Sequence, residues 1–117
     1  MGHYSTVVRA GPWLVVSGQL GVSAGALVPG GAGAQTAQAI ANLTAALAGH
    51  GASLGDVVKT TVFMTSIDDF GAINQAYANA FGAEHRPARS AVAVAGLPMG
   101  ALVEVEAWAY RGQQPER

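Results

Sequence analysis

The segment Ala101-Leu102-Val103-Glu104-Val105-Glu106-Ala107-Trp108-Ala109-Tyr110-Arg111 alternates with a period of two. Successive side chains of a β-strand point to opposite faces of its sheet. The odd positions, Ala101, Val103, Val105, Ala107 and Ala109, are small and apolar, which suits close packing under helices. The even positions, Leu102, Glu104, Glu106, Trp108 and Tyr110, put two carboxylates and two large aromatics on the other face. A solvent face rarely carries Trp and Tyr together, whereas protein–protein interfaces are enriched in aromatics. This strand therefore calls for helices on one side of a sheet and a partner on the other, with self-association the simplest partner.

Working outward, Arg89 to Ala95 reads as the strand before it, joined around Gly96-Leu97-Pro98-Met99-Gly100. Further back, Phe70, Ile73, Tyr77 and Phe81 sit at i, i+3, i+7 and i+11, predicting a helix whose apolar stripe faces the core. Ser66 is expected to cap it, with Asp69 as the acidic half of a capping box and Gly82 near its stop. Asp68 and Asp69 also suit the positive helix start. Val57 to Thr65 predicts a strand with uncharged or apolar residues on both faces, both expected to be covered. Residues 34 to 49 predict the earlier helix, with Ile40, Leu43 and Leu47 at helical spacing and Gly49 and Gly51 ending it. Trp13 to Ser17 is a short strand ending at Gly18. The stretch from Gly21 to Gly33 reads as turns. It fits neither G-x-G-x-x-G opening a helix nor a phosphate loop with its Lys and Ser/Thr. The order is strand or strands, helix, strand, helix, strand, strand, an α+β layer architecture. Residues 1–117 are expected to form one domain, with 112–117 a polar, frayed tail.

Composition narrows the function classes. Half of the 117 residues are apolar and 11% are charged, too apolar for disorder and low in charge for a small monomer. The chain has no cysteine, which excludes disulfides, thiolate nucleophiles and Cys-ligated zinc. Net charge is −1, and the six basic residues Arg9, Lys59, Arg86, Arg89, Arg111 and Arg117 are scattered. No basic stripe marks a nucleic-acid surface, so nucleic acid is not an expected partner. No run of about 18 apolar residues could span a membrane, and the start lacks a signal-peptide pattern, so the expected location is cytoplasmic.

Few groups could do chemistry. His3, His50 and His85 show no metal spacing such as H-x-x-x-H, so no metal site is expected. Ser5, Ser17 and Ser90 lack the G-x-S-x-G setting of an activated serine. Arg89, at the mouth of a strand after Pro87-Ala88, could grip a carboxylate with two parallel hydrogen bonds. Glu104, inside a partly desolvated strand, could have a raised pKa and act as general base or acid. By pattern alone, the plainer reading is a structural ion pair between the two, with a functional role left open.

Several stretches of the chain resemble the signature segments of one known family. Ser53-Leu54-Gly55-Asp56-Val57-Val58-Lys59-Thr60-Thr61-Val62-Phe63 resembles the family's central strand. Asp68-Asp69-Phe70, Ile73-Asn74 and Tyr77 are similar to its second helix. Pro87-Ala88-Arg89-Ser90, Leu97-Pro98 and the run from Gly100 to Ala107 resemble its C-terminal signature. Gly2-His3-Tyr4-Ser5 is similar to its Gly-Pro-Tyr-Ser, and Val16-Ser17-Gly18-Gln19 to its Ser-Gly-Gln turn. The chain thus resembles the RidA/YjgF family of reactive-intermediate deaminases, also described as endoribonuclease L-PSP-like. The resemblance implies a chorismate-mutase-like fold, one mixed sheet with two helices on one face, assembled as a trimeric barrel with clefts between subunits. It implies hydrolysis of enamines and imines such as 2-aminoacrylate to 2-keto acids and ammonia, with no cofactor. It places Arg89 as the clamp for a small carboxylate substrate and Glu104 as the group that activates water or shuttles a proton. Tyr4 and Ser17 would line the cleft, Gly18 would let backbone approach the ligand, and Asn74 would serve either the cleft or helix packing.

This chain departs from the family pattern at His3, which replaces a proline, and at Ala91, where many members carry cysteine. Met99 replaces a common lysine, and Glu84-His85-Arg86 is a short lead into Pro87. Two other functions are compatible with the family: a non-catalytic trimer that binds or senses a carboxylate metabolite, and an endoribonuclease or translation inhibitor.

Overall fold

A computed structural model describes residues 2–112. Its strands are β1 (Val7–Ala10), β2 (Trp13–Leu20), β3 (Val22–Ser23), β4 (Ala26–Leu27), β5 (Val57–Met64), β6 (Ala88–Ala93) and β7 (Val103–Tyr110), with helices α1 (Gly31–Ala48) and α2 (Phe70–Phe81). Five strands form one sheet in the order β1-β2-β7-β5-β6, and β3 and β4 form a separate hairpin. β5 and β6 run parallel; the other pairs of the large sheet are antiparallel, so the sheet is mixed. The parallel pair is joined by α2, as a crossover requires.

β7 sits in the centre and its alternation is kept. Val103, Val105, Ala107 and Ala109 are fully buried, whereas Trp108 and Tyr110 are 45% and 49% exposed. The small odd-numbered side chains let α1 and α2 lie close on one face, where Leu14, Val16, Ile40, Leu43, Leu47, Val62, Met64, Ile73 and Tyr77 complete the core. On the opposite face Trp13 meets Trp108 and Tyr110 edge-on at centroid distances of 5.9 and 5.1 Å.

Several expectations are corrected. Within the chain, helices cover one face of β5, where Val57, Thr60, Val62 and Met64 are buried, and the expected cover over Lys59, Thr61 and Phe63 would have to come from a partner. Phe70 does not join the core and is 36% exposed; only Ile73 and Tyr77 of the stripe are buried. The reason is that Ile67–Asp69 forms a turn of 3₁₀ helix before α2, which places Phe70 at the helix mouth. Ser66 does cap that turn, its hydroxyl accepting from the Asp68 N–H at 3.2 Å, while the reciprocal capping box forms instead between Ser53 and Asp56. The stretch read as turns holds the β3–β4 hairpin and the first residues of α1, which starts at Gly31 rather than residue 34. Strand β1 and the extension of β2 to Leu20 are additions. Of the expected tail, 113–117 lie outside the described residues.

Candidate active site

β2 carries an irregularity between Val16 and Gln19, so Ser17 and Gly18 together face the stretch of β7 between Ala107 and Val105. Such bulges re-aim side chains beside functional sites. Ser17 is tied to the incoming chain: its N–H donates to the Thr6 carbonyl at 2.9 Å and its hydroxyl to the Ser5 carbonyl at 2.6 Å. This anchors the segment that bears Tyr4, whose ring is 67% exposed. Gly18 lies directly against Glu104. A Cβ there would stand 2.5 Å from Glu104 Oε2, so any other residue would push the carboxylate from this position. Burial pushes the Glu104 carboxyl above the usual 4.5, and the neighbouring Glu106 charge adds to the effect.

Arg89 is built from the other side. In β6 it pairs with Thr60 of β5, which in turn pairs with Ala107 of β7. Thr60 and Ala107 are both buried beneath the helices, so Arg89 projects on the helical face. There α2 receives it. Arg89 Nη1 donates to Asn74 Oδ1 at 2.8 Å, and its guanidinium carbon lies 4.8 Å from the Tyr77 ring centre and 5.6 Å from that of Phe70. A groove of ≈ 800 Å³ opens beside it, lined by Asn74, Tyr77, Phe81, His85, Arg86 and Arg89 among others. His85 Nε2 is 2.8 Å from the Val57 carbonyl, which ties the loop after α2 to the sheet.

Glu104 pairs with Phe63, one step out of phase with the buried residues Val103 and Val105, and therefore sits on the open face. The candidate residues thus fall into two groups. Glu104, Gly18, Ser17 and the Tyr4 segment belong to one; Arg89 and Asn74 belong to the other. The ion pair between Arg89 and Glu104 that the sequence left open does not form, because the two side chains leave the sheet in opposite directions. Among the described residues the one salt bridge is Arg111 to Asp56, at 3.6 Å. Tyr77 and Phe70, read from the sequence as core packing, turn out to contact Arg89; their i, i+7 spacing with Asn74 between them was the available signal. No group of three or more His, Cys, Asp or Glu among the described residues could hold a metal ion, and no helix there is long and apolar enough to cross a membrane.

The family model described as Endoribonuclease L-PSP matches residues 1–111. The chain belongs to the RidA/YjgF family. It is 43% identical over 114 residues to the 2-iminobutanoate/2-iminopropanoate deaminase of Rattus norvegicus, covering 96% of this chain and 82% of that protein. It is 42% identical to a RutC family protein of Pyrococcus horikoshii, covering 95% of this chain and 89% of that one. The solved structure of RidA from the Antarctic bacterium Psychrobacter sp. PAMC 21119 superposes with a TM-score of 0.87 at 40% identity, covering 93% of this chain and 89% of that one. The mixed sheet with two helices is thus the RidA/YjgF fold.

Proposed function

We propose that this protein hydrolyses short-lived imines and enamines of 2-amino acids, such as 2-aminoacrylate, to 2-keto acids and ammonia. The observation that carries this reading is the state of Arg89. Its guanidinium is held by Asn74 and lies over two aromatic rings beside an open groove, and no carboxylate among the described residues pairs with it. A guanidinium so arranged has N–H donors left over for an incoming carboxylate, and it is preorganised to take one in a two-pronged grip. The deaminase names of mammalian relatives at 40–43% identity supply the reaction class.

The chemistry follows from the two groups. An enamine first takes a proton at its terminal carbon and becomes an iminium. Water then adds to the C2 carbon, losing a proton, to give a carbinolamine. That intermediate takes a proton on its nitrogen and expels ammonia, while its hydroxyl gives up a proton as the C=O bond forms. Glu104 is suited to take the proton from water and return one to the leaving nitrogen: its raised pKa makes it a better base than an ordinary carboxylate and a usable acid afterwards. Arg89 and Glu104 leave opposite faces of one sheet, so a single copy cannot present both to one small substrate. We therefore place the site between copies, Arg89 from one and Glu104, Ser17 and Tyr4 from its neighbour, in a homotrimer. The exposed apolar residues Val8, Val92, Trp108 and Tyr110 on the open face are the surface a second copy would cover.

The test is a coupled assay. A pyridoxal-phosphate dehydratase generates 2-aminoacrylate from serine, and pyruvate formation is followed with wild type and Arg89→Ala. Wild type is expected to accelerate pyruvate release. The variant, stripped of charge-assisted bonds worth about 1.5–3 kcal/mol each, is expected to lose roughly tenfold to a hundredfold in kcat/KM. A folded, assembled wild type that gives no acceleration rules this reaction out. RNA cleavage that survives both Arg89→Ala and removal of contaminating nuclease would favour the endoribonuclease reading instead.

A further inference from the structure

We infer that Tyr77 is a positioning residue for Arg89, and that the Thr60–Tyr77 hydrogen bond sets the plane in which the guanidinium meets a substrate carboxylate. This rests on the reading of Arg89 as the carboxylate anchor.

Thr60 makes two connections at once. Its backbone lies opposite Arg89 in the β5–β6 pair. Its Oγ1 lies 2.7 Å from the Tyr77 hydroxyl, with both side chains buried. The residue that fixes where Arg89 leaves the sheet therefore also fixes the ring over which its guanidinium lies, 4.8 Å from the ring centre. Phe81 stacks on Tyr77 at 4.6 Å between centres and limits its tilt. Burial pushes the Tyr77 phenol up, against opposing effects of the Thr60 bond and the Arg89 charge, so the ring stays neutral and attracts the cation. Asn74 takes one donor, Nη1, and a single bond leaves a planar group free to rotate. The ring removes that freedom. A long, flexible side chain near the end of an edge strand becomes a fixed fork, as two-pronged recognition requires. A tyrosine that merely filled the core would not need its hydroxyl aimed at the strand partner of the anchoring arginine.

Two variants separate the ring from the hydroxyl. Tyr77→Phe and Tyr77→Leu both strip Thr60 of its partner, but only the second removes the ring. KM for the imine is expected to be roughly three- to tenfold higher in Tyr77→Leu than in Tyr77→Phe, with kcat changing less. In an Arg89→Ala background the difference is expected to vanish, because the ring then has nothing to position. A purely structural role would keep the difference in both backgrounds. The NMR signal of the Arg89 side-chain Nε–Hε gives an independent readout: ring-current shifted in wild type, moved part of the way back in Tyr77→Phe, where the ring remains but has lost its tether to Thr60, and unshifted in Tyr77→Leu. Equal KM values for the two variants, an unchanged gap without Arg89, or an unchanged Nε–Hε signal in Tyr77→Leu overturns the proposal. Should Tyr77→Leu not fold, Thr60→Val keeps the core volume and frees the ring; an unaltered Nε–Hε signal and KM there overturns it equally. A wild type that neither deaminates nor binds pyruvate overturns the functional reading beneath it, whereas an active wild type without the gap overturns the positioning role alone.

Discussion

Glu104 shows how a strand residue is tuned by what is packed around it. Its carboxyl is raised first by burial against β2, where Gly18 stands in contact, and second by Glu106 two residues along the same face. If Glu104 acts as the base, activity falls on the acid side as Glu104 takes up its proton, at a pH above the ordinary 4.5. Removing the Glu106 charge stabilises the anionic form of Glu104 and lowers its pKa. Glu106→Gln is therefore expected to move the acid limb of the kcat/KM profile to lower pH, without abolishing the reaction. A limb that stays in place, measured by the coupled assay across pH, would show that another group titrates. The candidate residues were individually legible: Arg89 at a strand mouth and Glu104 inside a strand from their pattern, and Gly18 after Ser17 through the family resemblance. Their grouping was not. It depends on the pairs Thr60 with Arg89 and Phe63 with Glu104, and no single strand's pattern carries the register between strands.

At the scale of elements, the long periodic segments read well because their periodicity is written in side chains. β7 and the buried face of α1 show this, whereas β1 and the β3–β4 hairpin are too short to establish a period. The start of α1 was hidden by glycines, whose low helix propensity argues against a helix. A Cβ on Gly21 would stand 2.5 Å from Gln35 Cα, so glycine is what lets the chain after β2 pass against the first turns of α1. That approach is used: buried Gln35 Oε1 accepts from the Leu102 N–H at 2.9 Å, two residues before Glu104. Asn42 Nδ2 donates to the carbonyls of Leu20 and Val22, each at 3.0 Å, closing the same seam. Gly21→Ala is expected to destabilise the fold by about 1–3 kcal/mol, because the clash is with backbone and cannot be relieved by a side-chain rotation. Gly71→Ala, in α2 with open space around it, is the control and is expected to be neutral or slightly stabilising. Urea midpoints of the two variants compare them directly; equal midpoints would refute the close-packing account.

At the scale of the whole molecule, one fact governs: the sheet has two faces, and the two candidate groups, Arg89 and Glu104, lie on different ones. The helical face is finished within the chain, down to the fully buried Val103, Val105, Ala107 and Ala109. The open face carries Glu104, packed in part against Gly18, and the exposed Val8, Trp108 and Tyr110, and no helix among the described residues covers it. If the active site is shared between copies, as proposed, then Arg89→Ala and Glu104→Gln damage different contributions to each cleft. Homogeneous preparations of either variant are expected to be nearly inactive. Dissociated, mixed in equal amounts and reassembled, they are expected to recover about a quarter of wild-type activity, the fraction of clefts that draw Arg89 from one intact copy and Glu104 from another. A site assembled within each chain predicts no recovery at all, because no mixture can place both intact groups in one copy. Pyruvate release from the mixed sample distinguishes the two arrangements. Trp108→Glu supplies the matching physical measurement: a charge in the centre of the open face is expected to yield smaller species by sedimentation and to remove activity in the same samples. If that variant stays assembled and active, the open face is not the contact, and the shared cleft must be built through another surface.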